Sequence, residues 1–187
     1  MDNDNGAAQY RRFLSGDDEG FTEIIKLYKD GLILFINSYV KNIYVAEDLA
    51  EDTFFKLLIK KPRFTEISNF KTWLYTIGRN MAVDYLKSRA KIVDIPDEGI
   101  VMMQQEEISI EKQYLMKEEK ILLHRTIARL LPQYSEVLYL AYFELLSNAE
   151  IARVVHKNQK QVANLLFRAK QSLKDLLLKE GYEYEGL

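Results

Sequence analysis

Apolar side chains recur along this chain at intervals of three and four, the spacing of a single helix face, and no stretch shows the period of two that a half-buried strand requires. Phe21, Ile24, Ile25, Tyr28, Leu32, Phe35 and Tyr39 form one such face, with Asp17 or Asp18 placed to cap its start. Ala50, Phe54, Leu57 and Leu58 line a second helix. That helix must stop near Pro62, because proline lacks the N–H that would continue the ladder. Phe70, Leu74, Ile77, Met81 and Tyr85 line a third. Three amphipathic helices of this kind can bury a shared core, so the first half of the chain predicts one helical module.

From Ile92 to Gln113 the periodicity fades into Pro96, Gly99, paired Gln and many carboxylates, the composition of an exposed and extended linker. Met116, Leu123, Ile127, Leu130 and Leu131 then resume a helical stripe. Pro132 stands where a new helix begins, carrying Val137, Leu138, Ala141 and Tyr142. Ser147 and Glu150 have the spacing of a capping box, ahead of a short helix with Ile151, Ala152 and Val155. After a tight break at His156-Lys157, Asn158 and Gln161 supply a second cap-like pair. Val162, Leu165, Leu166, Ala169, Leu173, Leu176 and Leu177 mark a long amphipathic helix. Two helices joined by about four residues predict a helix-turn-helix. The expected fold is therefore all-α, with two helical modules (8–91 and 114–179) joined by an acidic linker (92–113), and the helix-turn-helix lies in the C-terminal module.

A net charge of −2 looks wrong for a nucleic-acid binder, but it averages over strong unevenness. Lys71, Arg79, Lys87, Arg89 and Lys91 face Asp84 alone across one stretch. Arg153, Lys157, Lys160, Arg168, Lys170, Lys174 and Lys179 face Asp175 alone across another, and carboxylates dominate Asp94 to Glu119 between them. Local potential attracts phosphate, so the order basic, acidic, basic matters more than the sum. The chain has no cysteine and only two histidines, His124 and His156, in different helical segments. No metal site, cofactor site or catalytic constellation is expected, and no Gly-rich phosphate loop or nucleophile elbow is present. No apolar run approaches the ~20 residues that span a bilayer, and Met1 to Gly6 lack a signal-peptide pattern, so no membrane insertion and a cytoplasmic location are expected.

The outward positions near the start of the last helix are Gln159, Lys160, Ala163, Asn164 and Arg168. Gln and Asn can pair bidentately with adenine, and Lys and Arg can reach guanine or phosphate. A helical hairpin with a solvated basic face would carry the same residues, and spacing alone leaves both readings open.

The string from Leu131 to Leu177 resembles region four of bacterial RNA polymerase sigma factors. The residues that carry it are Leu131-Pro132, Tyr142-Phe143-Glu144, Ser147 with Glu150-Ile151-Ala152, Val162 and Arg168-Ala169-Lys170. The N-terminal module resembles sigma region two through Ala46-Glu47-Asp48-Leu49, Asp52-Thr53-Phe54, Phe70 with Trp73-Leu74-Tyr75, and Arg79-Asn80 with Asp84. Two such modules in this order, without region three between them, are similar to the extracytoplasmic-function group of the sigma-70 family. That resemblance implies a non-enzymatic factor that binds core polymerase at its clamp and flap, reads promoter DNA at the minus-ten and minus-thirty-five elements, and helps to melt it. It also implies an anti-sigma partner that masks the polymerase-binding faces.

Carried over residue by residue, the resemblance assigns Glu47, Asp48, Glu51, Asp52 and Phe55 to the polymerase clamp, with Glu51 standing where the family often has Gln. It assigns Lys61, Arg63, Phe64, Asn69, Lys71, Trp73, Arg79, Asn80, Lys87 and Arg89 to the minus-ten region, around a specificity loop at Thr65 to Asn69. Trp73 remains open between core packing and base stacking, and Phe70 is expected to be structural. Ser147, Lys157, Gln159, Lys160, Gln161, Asn164 and Arg168 fall to the minus-thirty-five element. His156 stands where the family usually has glycine in the turn, and Ala163 and Leu165 where it tends to be basic. A stand-alone helix-turn-helix regulator and a helical protein-binding adaptor are the competing readings. The first would explain the C-terminal half but not the acidic second helix.

Overall fold

The computed structural model describes residues 5–92 and 118–179. Within them the chain forms α1 (Asn5–Leu14), α2 (Asp18–Val40), α3 (Ile43–Lys60), α4 (Phe70–Ile92), α5 (Glu118–Ala128), α6 (Pro132–Tyr142), α7 (Asn148–Val154) and α8 (Gln159–Lys179). The linker expected at 92–113, apart from Ile92 at the end of α4, lies outside the described residues, as do Met116 and the tail after Lys179.

Helix boundaries follow from local chemistry. Asp17 caps α2 by accepting a hydrogen bond from the Glu19 N–H, and α2 ends at Lys41, whose backbone turns left-handed at φ 54°. Asn42 caps α3 through the Val45 N–H, and α3 ends at left-handed Lys61 just before Pro62. The Asn69 side chain accepts from the Thr72 N–H at 2.7 Å and so caps α4. Pro132 opens α6, where its missing N–H has no partner to lose.

The helices α2, α3 and α4 bury Ile24, Leu32, Phe35, Ile36, Phe54, Leu57, Phe70 and Leu74 as the expected N-terminal core. Helix α1, which the apolar pattern does not announce, adds Ala7, Tyr10 and Phe13 to it. Phe54 is buried and its neighbour Phe55 is 61% exposed, since adjacent residues on a helix cannot both face one core. Three positions depart from the expected stripes. Leu131 is 58% exposed because it is the N-cap of α6, in a non-helical conformation (φ −55°, ψ 140°) outside both helices. Leu58 lies on the rim of a groove between α2 and α3 rather than beneath them. The Tyr142 ring is exposed and carries the Lys170 ammonium 5.4 Å from its centroid.

The two modules also pack on each other. Helix α6 lies against α2 and α7 against α4, and one continuous apolar core runs through both. Phe35 of α2 meets Tyr139 of α6 with ring centroids 6.2 Å apart. At Gly31 a Cβ would collide with the Tyr75 hydroxyl and the Glu144 carboxylate, so glycine is what lets the C-terminal module approach α2 so closely.

Candidate nucleic-acid and protein interfaces

Helix α3 turns an acidic and apolar face outward. Asp48, Glu51, Asp52 and Phe55 are exposed, and Glu47 is partly so. Glu47, Glu51 and Phe55 are four residues apart and stack along one line, which Ile59 continues. Beside this line runs a groove of about 250 Å³ lined by Phe21, Ile25, Ala50, Phe54, Phe55 and Leu58 among others. A face of this kind suits a protein partner that offers basic and apolar groups together.

The second surface is the loop from Lys61 to Asn69 with α4. Phe64 packs on Phe70 and Trp73, at centroid distances of 5.6 and 5.2 Å. Trp73 is half-buried against Tyr10, Phe64 and Phe70, so most of its ring is structural. Phe70 is fully buried, as expected. The Lys61 ammonium lies 4.6 Å over the Phe13 ring. Arg63, Lys87 and Arg89 are exposed, and Arg89 reaches its own helix neighbour Tyr85.

The third surface is the helix-turn-helix. Ser147 and Glu150 form the reciprocal capping box, and the turn passes through His156 at φ 54°, a left-handed conformation that His tolerates better than bulky aliphatic residues. Asn158 and Gln161 cap the start of α8 reciprocally, each side-chain oxygen accepting from the other's backbone N–H at 2.8–2.9 Å. Gln161 therefore turns its carbonyl oxygen towards its own helix start. Gln159, Lys160, Asn164 and Arg168 are all exposed along α8, as is Lys157 in the turn. Leu165 turns partly inward onto the core. Phe167, absent from the expected readers, stands 67% exposed on this helix beside Arg168.

The family model for sigma-70 region 2 matches residues 24–92, and that for sigma-70 region 4 matches residues 120–173. The extracytoplasmic-function (ECF) RNA polymerase sigma factor SigM of Bacillus subtilis is 30% identical over 82% of this chain and 93% of its own length. This chain belongs to the ECF sigma factors. The ECF sigma factor BldN of Streptomyces coelicolor is 31% identical over 89% of the chain and 63% of its own length. Among solved structures, the sigma factor RpoE of Bartonella quintana, crystallised with the anti-sigma factor NepR, shares the fold with a TM-score of 0.68 at 23% identity, covering 84% of this chain and 96% of that one. The sigma factor thus directs promoter recognition and transcription initiation with RNA polymerase, and the readings as a stand-alone regulator or an adaptor fall away. Among the described residues no helix is long and apolar enough to cross a membrane.

In this sigma factor, four of the residues expected at the minus-ten element face region 4. Lys71 Nζ pairs with Glu144 Oε2 at 2.8 Å and also donates to the Glu144 backbone carbonyl at 3.0 Å. Arg79 Nε lies 3.2 Å from Glu136 Oε2, which also accepts from the Tyr39 hydroxyl. The Asn69 amide donates to Glu150, so one carboxylate ties the capping box of α7 to the end of the loop. Asn80 Oδ1 lies 3.2 Å from His156 Nε2. The Arg153 guanidinium completes the row by donating to the Ile67 carbonyl at 2.9 Å.

Glu136 and Glu144, which the apolar pattern did not single out as functional, are thus the centre of the contact between regions 2 and 4. Both are buried. Burial pushes the Glu136 carboxyl up to about 8 against the pull of the nearby Lys157 ammonium, and burial also lowers the Arg79 guanidinium. Their signal was visible in the chain. They are two carboxylates in the otherwise apolar run from Val137 to Leu146 and its approach, with no cation inside that run. Acids so placed must find distant partners.

Proposed function

We propose a division of labour among these surfaces. Residues 8–91 act as region 2, 92–113 as the linker, and 114–179 as region 4. Glu47, Asp48, Glu51, Asp52 and Phe55 dock on the polymerase clamp, and the groove beside Phe55 takes an apolar side chain from it. Lys61, Arg63, Lys71, Arg79, Asn80, Lys87 and Arg89 hold the phosphates and edges of the melted minus-ten strand, around a loop ending at Asn69. Phe64 and Trp73 give that loop a rigid aromatic base. Gln159, Lys160, Asn164 and Arg168 read the minus-thirty-five element in the major groove, with Lys157, Ser147 and Gln161 near the backbone. The polymerase supplies all chemistry, and the sigma factor works in the cytoplasm with it. The co-crystallised RpoE and NepR pair supports an anti-sigma partner here too, one that covers the α3 face.

The observation that carries this reading is the row of exposed polar side chains on α8, in a helix-turn-helix whose two helices are each capped at their start. Simultaneous reading of both elements requires the modules to part. Positions about 25 base pairs apart lie roughly 85 Å apart on a duplex that rises ~3.4 Å per pair. The segment 93–117, at ~3.3–3.6 Å per residue, reaches at most roughly 90 Å if fully extended. The linker is thus long enough, with little to spare.

The test is reconstitution. Purified chain is mixed with bacterial core polymerase, the complex is isolated, and transcription from a pool of genomic fragments is sequenced. One-to-one binding and start sites that share a two-part upstream sequence are expected. Binding without start-site selection would remove the assignment of the DNA-reading residues.

A further inference from the structure

The loop 61–69 has no regular secondary structure, and two of its non-glycine residues, Lys61 and Glu66, are left-handed at φ 42° and 57°. A conformation of that kind persists only when its surroundings hold it. Helix α4 holds Phe64, and region 4 holds Ile67 and Asn69, while the left-handed residues Lys61 and Glu66 are held by α1, which lies ahead of the segment that matches sigma-70 region 2.

Three residues of α1 touch the loop. The Tyr10 hydroxyl donates to the Pro62 carbonyl at 2.7 Å. Arg11 forms an ion pair with Glu66, the left-handed residue at the tip. The Phe13 ring lies beneath the Lys61 ammonium. The Tyr10 ring is itself fixed, wedged against Phe70 and Trp73 with both centroids at 5.4 Å. Gly6 lets α1 lie this close, since a Cβ there would strike the Phe70 ring and the Tyr28 hydroxyl. Burial pushes the pKa of the Tyr10 hydroxyl up to about 12, so it remains a donor even in strongly basic solution.

Between α1 and the loop opens a polar cavity of about 450 Å³ lined by Ala7, Arg11, Glu66, Ile67, Ser68, Asn69 and Arg153. Its size is that of a small-ligand pocket. Arg153 belongs to region 4 and leaves this wall when the modules part. The α1 wall, with Ala7 and Arg11, stays.

We propose that Tyr10 and Arg11 are positioning residues for minus-ten recognition, with α1 setting the shape of the 61–69 loop and the permanent wall of its cavity, so that base preference at that element depends on α1. The inference rests on the assignment of this loop to the minus-ten element. Tyr10 fixes where the loop leaves α3, and Arg11 fixes its tip. Loss of either contact frees Ile67, Ser68 and Asn69 to present themselves in more than one arrangement, and discrimination between bases falls.

The test uses holoenzyme reconstituted with wild-type chain, Tyr10→Phe, Arg11→Glu, Glu66→Arg, and the Arg11→Glu/Glu66→Arg charge swap. Each transcribes a library with a randomised minus-ten element, and melting temperature and affinity for core polymerase are measured alongside. Tyr10→Phe and Arg11→Glu are expected to flatten base preference at one or more minus-ten positions by roughly two- to tenfold, the range of one lost hydrogen bond or exposed ion pair, with core affinity unchanged. The charge swap restores the preference. Wild-type preference in every variant, at full rate or at a uniformly reduced one, would overturn the proposal and leave α1 as fold support alone. Arg11→Glu keeps the test decisive if Tyr10→Phe proves unstable, because Arg11 is exposed. If the wild-type chain itself shows no minus-ten preference, the loop assignment fails instead.

Discussion

Lys71 and Arg79 reach carboxyl groups 73 and 57 residues away in the chain, Glu144 and Glu136. Because Glu144 is almost fully buried, Lys71→Ala leaves a carboxylate with neither its ion-pair partner nor water. Breaking a buried pair by removing one partner costs ~3–5 kcal/mol, and the partial exposure of Lys71 brings the expected loss to about 2–3 kcal/mol. Lys87→Ala, on the exposed end of the same helix, is expected to change stability by less than ~0.5 kcal/mol. Urea denaturation of the two variants checks the contrast. On the outer face of α8, Arg168→Ala removes a side chain able to bond a base edge bidentately. Holoenzyme affinity is then expected to fall by roughly ten- to a hundredfold on promoters with an intact minus-thirty-five element, and little where that element is scrambled. Gel-shift titration on the two templates measures it. Residue roles that depend on local spacing, such as the outward Phe55 or the Ser147 cap, were legible in the chain. Glu136 and Glu144 stood out only as acids beside an apolar run, and their partners, like that of Asn69, were not legible, because those partners are distant in sequence and only tertiary packing pairs them.

At the level of elements, caps account for several of the helix boundaries. Ser147→Ala removes the hydroxyl that accepts the Glu150 N–H and half of the reciprocal pair. About 1 kcal/mol of stability should go with it, a drop of about 2–4 °C in melting temperature for a chain of this size, measurable by calorimetry. Helix α3 makes a different prediction. Phe55→Glu replaces an exposed ring with a charge, so folding should be untouched while binding to core polymerase weakens at least tenfold, read by pull-down and melting temperature together. The long helices could be read from periodicity because each carries four or more apolar residues at helical spacing. Helix α1 could not, since it offers only Ala7, Tyr10 and Phe13 as buried side chains with a glycine at the closest contact. The recurrence of those three residues at intervals of three is the trace it leaves in the chain. Leu131 was misplaced for a related reason, because a stripe of leucines does not say where one helix ends and the next begins.

For the whole molecule, the docking of the two modules was the part the sequence concealed. A linker and two amphipathic halves say nothing about whether the halves meet. Glu136 makes that meeting sensitive to pH. Tyr39 of α2, Arg79 of α4 and Lys157 of the turn all face it. A carboxyl raised from 4.5 to about 8 in the docked state takes up a proton on docking. Its contribution is therefore full below about 4.5 and is lost as the pH rises through about 8. The chain has no cysteine, so dyes placed by Lys87→Cys and Lys174→Cys report on the two modules alone. Energy transfer between them is expected to fall as the pH rises from about 5 to about 8. With Glu136→Gln it should stay level, and a fall of the same size in that variant would exclude Glu136 as the cause. If the proposed minus-ten assignment holds, the same four side chains, Asn69, Lys71, Arg79 and Asn80, face either the companion module or a promoter strand, never both at once. Any affinity measured on the free protein is therefore the intrinsic one scaled by the fraction of molecules whose modules are apart. A population with about one molecule in a hundred apart would bind ~100-fold more weakly than its undocked form, with no contact to the DNA altered.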